Sequence, residues 1–364
     1  MSTMKPYSDF LQDIRGKLLL GCDGFVDETY EIVEVRRSPS EFTPMKKLRQ
    51  FGELLVQRAD GGVGVELVPK RRCEGGFAIN TGRVAACLGL MPRLPGLYGG
   101  NAIDPAYVQF KDICELESLG DPALTIALEF GDGKVLMSNL AAVSSLSWAD
   151  FERHFGAQKL KEMFTGVDIL GLGYWSLTSN FDDLFQGFMK QYETLTPPSR
   201  MFFDFADIKK KSSESFIRSL ELIRSYSGKI PMVFSLNEHE VLELFSRIGV
   251  ERPELSPVAI CSALAIAREK IGFAELVVHT PDFAAASSAT EGEAYALQER
   301  QSKIIRLAGA GDSFNGGYLC ASLGTLSLKQ RLVVANAVTA FFVTHGNPPS
   351  KEELLAQIEK ATDK

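Results

Sequence analysis

Four short apolar runs, at residues 167–172, 201–205, 232–236 and 276–279, alternate with longer amphipathic stretches, and this alternation limits the folds open to the chain. Runs that are apolar at nearly every residue, rather than at every second one, read as strands buried on both faces. The stretches 181–195, 213–226 and 237–245 read as the helices between them. A further helix opens on Ser256-Pro257, a cap followed by a first-turn proline, and stops at Gly272. Upstream, 17–21 reads as another buried strand and 80–90 as an Ala-rich helix; from Asp312 onward the chain reads as three helices. The pattern predicts an α/β fold, a three-layer α/β/α sandwich on a mostly parallel sheet.

Two regions break the alternation. Residues 123–130 and 134–139 flank Gly131-Asp132-Gly133, a hairpin signal. Residues 28–36 and 63–72 read as extended, with a helical 44–58 between them. Hairpins hung on a parallel sheet tend to cap a cleft. Segments 24–37, 62–74 and 123–140 are therefore expected to form a small β-sheet lid within one domain spanning 13–361. The 37–59 insertion either enlarges that lid or supplies a subunit contact, and a homodimer through the lid is carried as an expectation.

Composition narrows the partners. Of 364 residues, 45% are apolar and 23% charged, and 39 basic against 46 acidic side chains leave a net charge of −7. No basic face for nucleic acid is implied, so an anionic ligand has to meet a local positive site. The N-terminus lacks the apolar centre of an export signal, and the apolar stretch 333–343, interrupted by Asn336 and Thr339, is too short to cross a bilayer. A cytoplasmic location without membrane contact is expected. The six cysteines form no CxxC pair, which argues against zinc and a disulfide framework.

The chemistry concentrates at 308–319, Ala-Gly-Ala-Gly-Asp-Ser-Phe-Asn-Gly-Gly-Tyr-Leu. Small residues at Gly309, Ala310 and Gly311 ahead of a helix present backbone amides at the positive end of its dipole, which makes an anion site. Asp312 at its mouth is placed to take a proton from an attacking hydroxyl while the amides hold a transferred phosphoryl group. The plainer reading is a tight turn with Asp312 as cap. Gly316 and Gly317, poor helix formers, imply close packing on the sheet or on a ligand.

This string resembles the C-terminal signature of the ribokinase-like (PfkB) carbohydrate kinases. Three more motifs of that family stand in order: Gly21-Cys22-Asp23-Gly24-Phe25-Val26-Asp27, then Gly75-Gly76-Phe77-Ala78-Ile79-Asn80, then Asn237-Glu238-His239-Glu240. Together they cover residues 16 to 358. The resemblance implies ATP-dependent phosphorylation of a sugar or sugar-like hydroxyl, with Asp312 as general base and the 309–312 amides as anion hole. It also implies substrate contacts from Asp27, Asp23, Gly76 and Asn80. Asn237, Glu240 and Asp204 would lie near the nucleotide, with Mg²⁺ held through water and phosphates rather than by direct ligands.

Each of these residues has a structural alternative. Asn80 can be a helix cap, and Asn237 with Glu240 makes a capping box. Asp204 can be a turn carboxylate. Tyr174, Trp175 and Phe25 can stack on a ligand or fill the core, and His279 and His345 read as structural.

The sequence departs from the family pattern twice. The usual Gly-x-x-Gly after the strand at 275–279 is replaced by Thr280-Pro281-Asp282-Phe283-Ala284, which puts ATP as donor in question. Arg306 stands where the family has an Asp that helps hold a monovalent cation; a guanidinium cannot ligate a cation but can supply the charge, so independence from K⁺ is expected. Two rivals follow, a kinase-like protein that binds without turnover and a dinucleotide-dependent oxidoreductase. The second is weakened by the lack of Gly-x-Gly-x-x-Gly after the first strand.

Overall fold

The computed structural model describes residues 4–298, 300–301 and 303–362. Its strands in chain order are β1 (Leu18–Gly21), β2 (Phe25–Arg36), β3 (Phe42–Pro44), β4 (Leu67–Gly75), β5 (Arg93–Gly96), β6 (Glu115–Ser118) and β7 (Ala123–Phe130). They continue with β8 (Gly133–Asn139), β9 (Ile169–Gly173), β10 (Arg200–Asp204), β11 (Met232–Asn237), β12 (Glu275–His279), β13 (Phe283–Ser288) and β14 (Gly292–Leu297).

Nine of them form one sheet in the order β14-β13-β12-β11-β10-β9-β1-β5-β6. From β6 to β12 every pairing is parallel; β13 and β14 turn back as an antiparallel edge. Strand residues alternate between two cores. Leu170, Leu172, Met201, Phe203, Phe234 and Leu276 face one helical layer, and Ile169, Phe202, Val233 and Val277 face the other. The first layer includes helices Trp148–Phe164, Phe181–Gln191 and Ser213–Arg224; the second includes Phe77–Cys87, Ala310–Ala321 and Leu328–His345. This is the expected three-layer sandwich.

A second sheet runs β3-β2-β7-β8, with β4 on β2. Strand β2 leads straight from the large sheet into it, pairing antiparallel with β4 and parallel with β7. The expected hairpin is β7–β8, with Phe130 opposite Gly133. The insertion contributes β3 and helix Leu48–Gln57, and Met45 and Phe51 pack against Ile32 and Leu128 in a small core of its own. The insertion thus enlarges this sheet. Residues 63–66, read as strand, lie outside β4.

The helix read at 80–90 begins at Phe77, because a tertiary contact caps it. Asp23 accepts from the amides of Phe77 (2.6 Å) and Ala78 (2.9 Å). Gly76, at φ +113°, makes the turn before it, a conformation that side chains rarely adopt. Gly316 and Gly317 pack on helices rather than on the sheet or a ligand: a Cβ at Gly316 would lie 2.6 Å from Val84 Cβ, and one at Gly317 2.9 Å from Ala335 Cα. All six cysteines are free, and no helix among the described residues is long and apolar enough to cross a membrane.

Candidate active site

Tyr174 after β9, Asp204 on β10, Ser235 on β11 and His279 on β12 all meet the first turns of the Ala310–Ala321 helix. Ligands of open α/β sheets bind at strand ends of this kind. Gly309, left-handed at φ +88°, caps that helix. Backbone amides in a first helical turn have no partner within the helix, and no described group accepts from those of Gly309, Gly311 and Asp312. Ala310 differs: its amide donates to Leu307 O at 3.0 Å, closing the turn before the helix. Of the four amides expected to form an anion hole, this one is already bonded within the chain.

Asp312 is 6% exposed. Its Oδ2 accepts from Asn80 Nδ2 at 2.8 Å and from the Tyr174 hydroxyl at 3.4 Å, and its backbone oxygen accepts from Thr81 Oγ1 at 3.2 Å. Burial pushes the carboxyl well above the usual range, Asp204 and Asp23 add to that, and the bonds from Asn80 and Tyr174 oppose it. A base with a raised pKa suits proton transfer from an alcohol.

Asp204 is buried as well, accepting from Asn315 Nδ2 at 2.6 Å and from the Ala206 amide at 2.8 Å. Ser235 Oγ holds Asn315 from behind at 2.7 Å. Glu240 and Asn237 form a reciprocal capping box on helix Glu238–Ile248. Burial, then the Asp204 charge, raises the Glu240 carboxyl to about 8. Asn237 pairs across the sheet with His279, whose ring would touch a Cβ at Gly311 at 3.2 Å. Burial holds that imidazole neutral down to about 4.

Asp27 lies on the small sheet, with its carboxylate where a Cβ at Gly75 would meet it at 3.0 Å. Burial raises its pKa; the Thr125 hydroxyl and the charges of Arg306, Lys134 and Arg71 work against that. Arg306 lies over the Phe342 ring, donates from Nε to Ala308 O at 3.2 Å, and comes within 3.8 Å of Glu74.

The family description "prokaryotic ketohexokinase" matches residues 9–361. The chain belongs to that family. It is a carbohydrate kinase. A ketohexokinase of Haloferax volcanii is 28% identical over 349 residues, covering 94% of this chain and 90% of that protein. Among solved structures, Arabidopsis thaliana ribokinase complexed with ribose and ATP superposes at a TM-score of 0.66 with 16% identity, over 94% of this chain and 99% of that one. Cryptococcus neoformans ribokinase in complex with ADP gives 0.63 at 12% identity, over 95% and 99%. At such identities these two structures speak to the ribokinase fold alone.

In this ketohexokinase-family chain, most residues singled out from the sequence gather around the start of the Ala310–Ala321 helix. Asn80, read as cap or sugar contact, lies inside its helix and bonds Asp312. Asp23, expected on the substrate, accepts from the Phe77 and Ala78 amides, one on each oxygen, and so caps that helix. Asp204 is no surface turn. Trp175 belongs to the core, stacked on Phe205 at 5.0 Å with its Nε1 on Ser219. The Thr280–Asp282 segment is a tight turn between β12 and β13, in which Thr280 Oγ1 accepts from the amides of Asp282 and Phe283. Sequence reasoning missed Asn315 and the Tyr174 contact with Asp312. The signals were there, since Asn315 is one turn beyond Asp312 and Tyr174 directly follows a strand end.

Among the described residues no cluster of three or more His, Cys, Asp or Glu is arranged to hold a metal ion. The carboxylates of Asp204 and Glu240, both raised in pKa by burial, that of Glu240 also by the Asp204 charge, fit a Mg²⁺ that keeps its waters and arrives with phosphates.

Proposed function

We propose that this chain transfers the γ-phosphoryl group of ATP to a hydroxyl of a sugar, with Asp312 as general base. One observation carries the reading: a buried carboxylate, anchored through a single oxygen, sits at a helix start whose amides at 309, 311 and 312 have no acceptor among the described residues. The acceptor hydroxyl gives its proton to Asp312, its oxygen attacks the γ-phosphorus in line, and the bond to the bridging oxygen breaks to release ADP. The three amides stabilise charge on the moving phosphoryl group. Mg²⁺, when bound, neutralises donor phosphates, and Glu240 with Asp204 would hold it through water. Asp27 and Gly76 line the sugar side. The relatives' names favour a ketohexose as acceptor, and the neighbours solved with ATP or ADP favour ATP as donor.

An assay of ADP release over ketohexoses, aldoses, pentoses and nucleosides tests this, with NMR of the product. The expected result is sugar-dependent ADP formation matched by sugar phosphate, fastest with a ketohexose. Sugar and ATP binding without turnover would instead support the kinase-like binding protein.

Two further readings accompany the first. Arg306, bonded to Ala308 beside the anion hole, replaces a monovalent cation, so exchanging K⁺ for Na⁺ leaves turnover unchanged; many-fold stimulation by K⁺ would contradict this. The lid is where two copies meet, since β8 ends the small sheet with Leu136 and Met137 exposed. Sedimentation analysis is expected to give a dimer, and replacing both residues by Lys a monomer.

A further inference from the structure

Both donors to the Asp312 carboxylate reach the same oxygen. Asn80 Nδ2 and the Tyr174 hydroxyl meet Oδ2 at 2.8 and 3.4 Å, and no described residue donates to Oδ1. A carboxylate held in this way has one oxygen fixed and the lone pairs of the other open. Tyr174 gets there by an uncommon backbone. At φ +56° it occupies the left-handed region that bulky residues avoid. It is pinned on both sides, its amide donating to Asp204 O at 2.7 Å and its carbonyl accepting from Leu177 (2.9 Å) and Thr178 (3.1 Å). Phe25 packs edge-on against the ring at 5.6 Å. Strain held by this many contacts tends to mark functional positions, and among the described residues the phenol bonds no acceptor but Asp312.

We propose that Tyr174 is a positioning residue, whose hydroxyl acts with the Asn80 amide to lock Oδ2 of Asp312 so that Oδ1 alone meets the acceptor hydroxyl. This rests on Asp312 being the base. The phenol is suited to donating. Burial, then the carboxylates of Asp312, Asp23, Asp204 and Asp27, hold its pKa far above the ordinary value, so it keeps its proton at every working pH. Its bond in turn pulls the Asp312 pKa down, against burial, Asp204 and Asp23. The other titratable groups near this helix start are His279, neutral beside Gly311, and Arg306, whose charge reaches Asp27; neither bonds Asp312.

The test is the pH profile of kcat for Tyr174→Phe, which keeps the ring and its contact with Phe25. Losing a donor to the charged form raises the Asp312 pKa, so the acid limb moves up by about one pH unit, the scale of one hydrogen bond to a charged group. Below that limb kcat falls about tenfold, while KM for sugar and for ATP changes by less than about twofold, as expected for a group that does not bind substrate. A fluorotyrosine at position 174, with a more acidic and better-donating hydroxyl, moves the limb the opposite way, and this arm decides the matter if the Phe variant does not fold. An unmoved limb, with Asp312→Asn inactive, overturns the role of Tyr174 and leaves the base in place. An active Asp312→Asn removes the base itself, and this inference with it.

Discussion

The large-sheet side of the candidate site, its floor, and the small sheet proposed as its lid are held in different ways. On the floor, side chains are tied to one another by short hydrogen bonds: Asn80 on Asp312, Asn315 on Asp204, Ser235 on Asn315, and two amides on Asp23, all between 2.6 and 2.9 Å. Beneath them lie the two cores of the large sheet. The lid has four buried apolar residues of its own, Ile32, Met45, Phe51 and Leu128, and leaves Val56 77% and Leu136 55% exposed. Groups that must hold a transition state to a fraction of an ångström gain from rigid support. A cover that admits a sugar and releases its phosphate gains from low local stability. On the proposed reading, chemistry belongs to the floor and admission to the small sheet.

The largest effect expected from this contrast is in paired core deletions. Phe151, enclosed by Trp148 and Phe188, should cost about 3–5 kcal/mol of global stability as Phe151→Ala. Phe51→Ala should leave the global denaturation midpoint nearly unchanged while amide exchange quickens across 25–36, 67–75 and 123–139. Equal global losses would break the contrast.

Next in size are two glycines expected to respond with opposite sign. Gly317→Ala drives a methyl into the Ala335 backbone and should destabilise by about 1–3 kcal/mol. Gly52→Ala, in the lid helix with nothing within 4 Å of the new methyl, should stabilise locally by about 0.5–1 kcal/mol. Urea melts of the first and lid amide exchange of the second check the signs.

The smallest effect concerns pH. Glu240 has a folded pKa raised to about 8, so folding favours its protonated form. That contribution is complete below the unfolded carboxyl range near about 4.3 and fades as pH rises through about 8. Glu240→Gln, which preserves the capping box, should flatten the decline in apo-protein Tm between about pH 5 and pH 8. An unchanged slope would mean that Glu240 is ionised in the folded chain.

Much of the floor was legible because its signals are local. A continuous apolar run is a buried parallel strand, and Ser256-Pro257 to Gly272 spelled both ends of a helix that runs Pro257–Ile271. The four motifs mark the cleft by their residue types alone. What escaped depended on distant partners. The start of the Phe77–Cys87 helix is set by Asp23, more than fifty residues away, so no local pattern moved it back from Asn80. β5 and β6 carry Arg, Pro, Glu and Ser near a sheet edge and lack an apolar run. β13, rich in alanine, has little strand propensity of its own and forms by pairing between β12 and β14. Tyr174 was visible as an aromatic after a strand end, but its contact with Asp312 depends on a strained φ that only the folded backbone shows.

Single-turnover kinetics of Asp312→Asn with saturating sugar and ATP test the central claim most directly. Loss of a positioned base should slow phosphoryl transfer by about 10²–10⁴, with ATP and sugar affinities retained and the fold unchanged by circular dichroism. Transfer at the wild-type rate would show that the proton leaves by another route and that the carboxylate at 312 is only a helix cap.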